Sequence, residues 1–299
     1  MLNIVCFGEV LWDVFPSYKT IGGAPLNVAL RLNSFNNNVI IISSVGKDEN
    51  GRDLLNYIKK EGLNNSYIQV NEKFKTSEVL VTLDKAGSAS YSIEFPCAWD
   101  YITINEAVLD KVKNTDAFLF GSLIARNKVS YNSLLELLNV APFKVFDVNL
   151  RAPHYKIIDL LKLMQKADFI KFNDDELFEI CQDLGFNSSD LKMNIKFISK
   201  HTNTAIICVT LGEKGAVIYT DKTFYFNEGY KVKVKDTVGA GDSFLASLIH
   251  KLLLKETPQN AIDFACAVGS LVASNVGANP KISNKQIVKF MDESKFNYL

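Results

Sequence analysis

Residues 233–254 read KVKDTVGAGDSFLASLIHKLLL, and their interpretation decides the fold. An alternating start, a glycine-rich bend and an apolar run predict strand, turn and helix in succession. In the helix, Phe244, Leu248, Leu252 and Leu253 share one apolar face. The bend sets Gly239, Ala240 and Gly241 at the first turn, where unpaired N–H groups meet the positive end of the helix dipole. A backbone with so little side chain admits a phosphate. No P-loop lysine follows. Asp242 stands at the same helix end instead, where a carboxylate can take a proton from an attacking hydroxyl while the N–H groups hold a transferred phosphoryl. The alternative for Asp242 is a plain helix cap.

Outward from this stretch the chain alternates. NIVCFGEV (3–10), NVIIISSVG (38–46), DAFLFGS (116–122), KVFDVN (144–149), DFIKFN (168–173) and AIICVTLG (205–212) read as buried strands. Between them DLLNYIKKEG (53–62), SYNSLLELLN (130–139) and IIDLLKLMQKA (157–167) place leucines at helical spacing. Such alternation predicts an α/β fold with a mostly parallel central sheet covered on both faces. One segment departs from it. EVLVTLDKAGSASYSIEF (78–95) predicts a hairpin around a glycine turn, suited to a lid or an oligomer edge. No linker, repeat or low-complexity tract divides residues 1–299, so a single domain is expected.

Bulk properties narrow the function classes. Lysine plus arginine balances aspartate plus glutamate at 33 each, so nothing electrostatic favours nucleic acid or an acidic membrane. The 47% apolar and 22% charged content is that of a globular protein. Cys6, Cys97, Cys181, Cys208 and Cys266 are scattered without metal-binding spacing, which predicts buried thiols in a reducing compartment. MLNIVCFGEVLWD has no basic leader or cleavage site, and FACAVGSLVASNVGA is too short to span a bilayer. A cytoplasmic location is the expectation.

Six segments, in order, resemble the ribokinase-like (PfkB) sugar and nucleoside kinases along nearly the whole chain. They are GEVLWD ending at Asp13, GGAPLNVA with Gly22, Gly23 and Asn27, FDVNLR (146–151), KFNDDE (171–176), VTLGEKG (209–215) and DTVGAGD (236–242). The resemblance implies a three-layer fold with a small β-lid from about 11–21 and 76–100. It also implies transfer of the γ-phosphate of ATP to a sugar hydroxyl, with Asp242 as base and Gly239, Ala240 and Gly241 as cradle. Asp13, Asn27 and the Gly22-Gly23 backbone then hold sugar hydroxyls, roles their amide and carboxylate groups suit. Arg151, Asn173, Thr210, Gly212, Gly215 and Asn275 are implied on the nucleotide side. Asn173 and Glu176 are implied near Mg²⁺, through water; alone, NDDE reads as an acid-rich helix start. Two lids facing each other imply a homodimer.

Two positions depart from the family pattern. Asn36 replaces the usual glycine or serine, but asparagine tolerates the left-handed conformation of a helix C-cap. Lys281 stands where cation-activated members often carry a short polar residue, which argues against dependence on a monovalent cation such as potassium.

Within the family, GEVLWDVFP, CAWD (97–100) and FGSLIARN (120–127) look most like fructokinases, which implies fructose and puts Arg126 near the sugar. Trp12 and Trp99 suit either a furanose face or the core. Another sugar, a sugar acid or a nucleoside is the alternative substrate, and an inactive sugar sensor the alternative class. A dinucleotide-dependent oxidoreductase would need GxGxxG after the first strand, which FGEVLWD does not supply.

Overall fold

A computed structural model describes residues 1–83 and 89–296. The chain opens with β1 (Asn3–Phe7), β2 (Leu11–Val14), β3 (Lys19–Gly22), α1 (Ala24–Ser34), β4 (Asn38–Gly46) and α2 (Glu49–Lys60). Then come β5 (Ile68–Asn71), β6 (Ser77–Leu83), β7 (Ala89–Ile93), α3 (Glu106–Lys113), β8 (Ala117–Gly121), α4 (Lys128–Val140), β9 (Lys144–Asp147) and α5 (Ile157–Met164). The second half runs through β10 (Phe169–Asn173), α6 (Asp174–Asp183), α7 (Leu191–Thr202), β11 (Ile206–Thr210), β12 (Ala216–Thr220) and β13 (Thr223–Asn227). Three helices close it: α8 (Ala240–Leu253), α9 (Pro258–Ala273) and α10 (Asn284–Phe296).

Nine strands form one sheet in the order β13-β12-β11-β10-β9-β8-β1-β4-β5. The six strands expected from sequence are its parallel heart. They read as apolar runs because helices bury both faces. Along β1 the alternation is visible. Ile4 and Cys6 enter one core with residues of α1, α8 and α9, while Val5 and Phe7 enter the other with residues of α4 to α7. All five cysteines are buried free thiols, as expected.

Two local expectations change. Residues 233–235 form no strand; the N–H groups of Lys235 and Asp236 donate instead to Ala273 O at the end of α9. The segment runs past the C-terminal end of α9, so its N–H groups meet a helix-end carbonyl rather than a neighbouring strand. The antiparallel β12–β13 hairpin is a finding of the structure. Its turn carries positive φ at Asp221 and Lys222, without a glycine to announce it.

The expected hairpin is present as β6 and β7, with Val79 opposite Ile93; its turn, 84–88, lies outside the described residues. These strands join β2 and β3 in a four-stranded sheet, β3-β2-β6-β7, in which Asp13 is in register with Val79. This lid is smaller than expected. Cys97, Ala98, Trp99 and Asp100 are buried, Cys97 and Trp99 in the core beside the main sheet, because CAWD turns inward after β7. As anticipated, Asn36 takes φ 60 just past the end of α1.

Candidate active site

Parallel strands point their carboxyl ends the same way, and the loops there collect the candidate residues. α8 begins at Gly239, which adopts φ 73 and provides no side-chain cap. Its bareness serves packing as well as ligand access: a Cβ would lie 2.6 Å from the Ala278 backbone. The preceding loop is held by Asp236, whose carboxylate accepts from Val238 N at 3.0 Å and Gly277 N at 2.9 Å. Ala240 N donates to Thr237 O and Ser243 N to Gly239 O. Among the described residues the N–H groups of Gly241 and Asp242 have no such partner, so the open donors are these two, while Ala240, expected in the cradle, has its N–H engaged.

Asp242 is half-buried beside this cradle. Asn27 Nδ2 donates to its Oδ2 at 2.8 Å, and Asn279 Nδ2 donates to Asn27 Oδ1 at 2.7 Å. One turn along α1, Arg31 is buried and donates from Nε to Ser243 Oγ and from Nη2 to Pro280 O. α1 thus grips α8 at two successive residues. Burial pushes Asp242 up to about 6, and the charge of Asp147 adds to it. The Asn27 hydrogen bond and the charges of Lys171 and Arg151 work the other way. A carboxylate poised there is mostly ionised at neutral pH yet still basic enough to accept a proton.

Asp13 leaves β2 directly over Gly22, and any side chain at Gly22 would overlap its carboxylate. Burial raises Asp13 to about 6 against the charge of Arg151. Arg151 itself is exposed, donates to Leu150 O, and exerts its charge on Asp13, Asp242 and Glu9. Glu9, absent from the sequence reading, is 4% exposed, with Oε2 unpartnered. Its carboxylate is held by backbone N–H groups of Glu9 and Ala24, against the start of α1, and burial lifts it to about 7.

Beneath α8 a buried pair spans β9 and β10. Lys171 Nζ donates to Asp147 Oδ1 at 2.8 Å, from opposed register positions. Burial disfavours the ammonium, but Asp147 and Glu176 more than offset this and keep it protonated. Glu176 and Asn173 form a reciprocal cap. Asn173 Oδ1 accepts from Glu176 N, and Glu176 Oε2 accepts from Asn173 N, each at 2.8 Å. Glu176 Oε1 accepts from Leu150 N at 2.9 Å. Both carboxylate oxygens are therefore engaged with backbone, and among the described residues no group of three acidic, histidine or cysteine side chains is placed to hold a metal directly.

A groove of about 860 Å³ runs from the first turn of α8 between the β11–β12 loop and α9. Thr210, Gly212 and Gly215 line it, together with Phe244, Gly269 and Ala273. Asn275 does not line it; its Nδ2 donates to Leu271 O and caps the end of α9. Arg126 also departs from expectation. Its Nε and Nη2 bind the Asp100 carboxylate at 2.7 and 2.8 Å, Nη2 also donates to Glu94 O, and the guanidinium lies 3.9 Å from the centre of the Trp99 ring. None of its hydrogen bonds reaches Asp13, Asn27 or Asp242. CAWD and FGSLIARN, read separately as substrate signals, thus meet in one buried ion pair. Trp99 is wholly buried, and Trp12 donates to Asn50 O under the Lys19 ammonium.

Comparison with known proteins bears on the family and the fold. The sequence profile of the pfkB family carbohydrate kinases matches residues 3–285. Fructokinase-2 of Solanum lycopersicum is 29% identical, across 93% of this chain and 92% of its own. The crystal structure of fructokinase from Vibrio cholerae, bound to fructose, ADP and calcium, superposes with a TM-score of 0.85 at 23% identity, covering 97% of this chain and 99% of that one. Fructokinase of Xylella fastidiosa with bound ATP gives 0.87 at 22% identity, covering 98% and 99%.

Proposed function

Because the chain belongs to the pfkB family of carbohydrate kinases, a family of ATP-dependent sugar kinases, we propose that its sugar is fructose and its product fructose 6-phosphate. Asp242 acts as general base and the open N–H groups of Gly241 and Asp242 receive the phosphoryl group. The observation that carries this reading is the 2.8 Å bond between Asn27 and Asp242, residues 215 apart in sequence. It joins the residue that reads the sugar to the residue that deprotonates it.

In the transfer, the primary hydroxyl oxygen bonds to the γ-phosphorus. The bond from that phosphorus to the β–γ bridging oxygen breaks, its electron pair leaves with ADP, and the hydroxyl proton passes to Asp242. Asp13 and the Gly22-Gly23 backbone hold ring hydroxyls. The nucleotide lies in the groove along Thr210, Gly212 and Gly215, with Arg151 near its phosphates. A divalent cation, Mg²⁺ by preference, fits this chain through water. Each Glu176 oxygen keeps acceptor capacity, and the buried Asp147 Oδ2 has no partner. When bound it supplies positive charge against the phosphates.

The lid sheet exposes Tyr18 and Leu80, 59% and 51%, and its edge strands suit pairing of two lids in a homodimer. The buried free thiols suit a cytoplasmic setting. The deciding experiment is a panel of sugars and nucleosides with ATP and Mg²⁺, following ADP release. Fructose should give the highest kcat/KM, and Asp13→Ala should impair sugar use far more than ATP binding. A higher kcat/KM for ribose or a nucleoside overturns the fructose assignment. Solution scattering of a compact monomer removes the dimer.

A further inference from the structure

We infer that Lys171 is a catalytic residue whose ammonium contacts the phosphoryl group in transit, completing from the sheet side the cradle that α8 offers from above. The inference rests on the phosphoryl-transfer reading and concerns a residue that reading does not use. Lys171 is 7% exposed, yet its ammonium has one hydrogen-bond partner, Asp147 Oδ1. Two of its three N–H donors are unspent, a costly state for a buried cation whose only task is structural. They face the cradle. A Cβ built on Gly241 would lie 3.8 Å from Lys171 Nζ and within 4 Å of no other group outside its own helix turn. Gly241 thereby keeps open a space between its own unpartnered N–H and the ammonium, and an anion seated on α8 enters that space.

The surroundings fit a cation held ready for an anion. Asp147 on β9, Glu176 on α6 and Asp242 on α8 exert their charges on Lys171, and Cys208 on β11 feels it in turn. Glu176 is occupied by the cap of α6 and Asp242 by Asn27, which leaves Lys171 the one buried ammonium under the cradle among the described residues. It stabilises charge on the equatorial oxygens of the transferring group and keeps its three protons throughout.

The test is Lys171→Met, with Lys171→Arg as the charge-conserving variant, each assayed for kcat and for both KM values. Lys171→Met should lower kcat by about 100-fold or more, as loss of one preorganised donor does, with KM for the sugar within about threefold. Lys171→Arg should recover at least about a tenth of the wild-type kcat. By calorimetry, the complex with ADP, aluminium fluoride and fructose should weaken far more than the complex with ADP alone. A folded Lys171→Met within about threefold of wild-type kcat overturns the proposal. Should that variant fail to fold because Asp147 is left unpaired, Asp147→Asn/Lys171→Met removes both charges. It must then turn over about tenfold or more slower than Asp147→Asn alone, and equality overturns the proposal. The outcome is separate from that of Asp242→Asn, which tests the base; activity in that variant removes the base and leaves Lys171 standing.

Discussion

Two helix starts, α6 and α8, lie on either side of the buried Lys171–Asp147 pair and are built in opposite ways. α6 is closed by its own side chains: Asn173 and Glu176 cap each other, and Asp174 and Asp175 add charge favourable to the dipole. α8 starts on a left-handed glycine with no side-chain cap. Closure prevails elsewhere, since Asp48, Asn105, Asn127, Asp190 and Thr257 cap α2, α3, α4, α7 and α9. α1, which presents Asn27, shares the bare glycine start of α8. α5 also lacks a side-chain cap, on Lys156, and α1 meets the chain's own Glu9 carboxylate at Ala24, which leaves α8 as the glycine start at which the proposed phosphoryl group would supply the missing partner.

The contrast is broken most directly at Asp242. Asp242→Asn keeps the shape of the helix start and removes its basicity, and kcat should fall by about two to four orders of magnitude. In the wild type kcat/KM should decline as pH drops through about 6, since the protonated carboxylate cannot accept the hydroxyl proton. The variant's residual rate should lose that contribution. Near-wild-type turnover, with the same acid limb, would remove the base from Asp242.

A smaller loss is expected at the bend. Gly239→Ala forces a side chain into φ 73 and against Ala278, so the loop 277–280 and Asn279 must shift. The strain should cost about 1–3 kcal/mol in a thermal melt, and misplacement of Asn27 and Asp242 should lower kcat by about tenfold to 100-fold. Unchanged melting and turnover would show that the start of α8 does not depend on the glycine.

The smallest effect on chemistry belongs to α6. Glu176→Gln replaces two accepting oxygens by one, leaving either Leu150 N or Asn173 N unsatisfied. Stability should fall by about 1–3 kcal/mol, while kcat at saturating Mg²⁺ stays within about tenfold. A large rise in the Mg²⁺ concentration needed, without loss of stability, would make this start a metal site first and a cap second.

Much of the architecture was legible because it follows from local pattern. Six apolar runs became the parallel strands, Asn36 took the left-handed conformation its side chain tolerates, and Asp242 stands at the end of the helix that its apolar face predicted. Residues whose donors are claimed by partners that the pattern does not announce were not. Asn275 suited the nucleotide by position but caps α9, and Arg126 suited the sugar until Asp100 took its donors. Asn279, Glu9 and Lys171 carry no local signal, because an asparagine after a loop or a lysine within a strand reads as ordinary surface.

The sequence by itself determined the layer architecture, the bare helix start and the acid beside it, since all three arise from residues within a few positions of one another. Only the tertiary structure decided which polar groups work together. The bonds Asn27–Asp242 and Asn279–Asn27 join residues 215 and 252 positions apart, and Lys171 meets Asp147 across two strands and an intervening helix. Such pairs form because packing α1 and α8 onto one face of the sheet brings their polar ends to the same carboxyl edge. Once buried there, each donor needs an acceptor that its own segment does not provide.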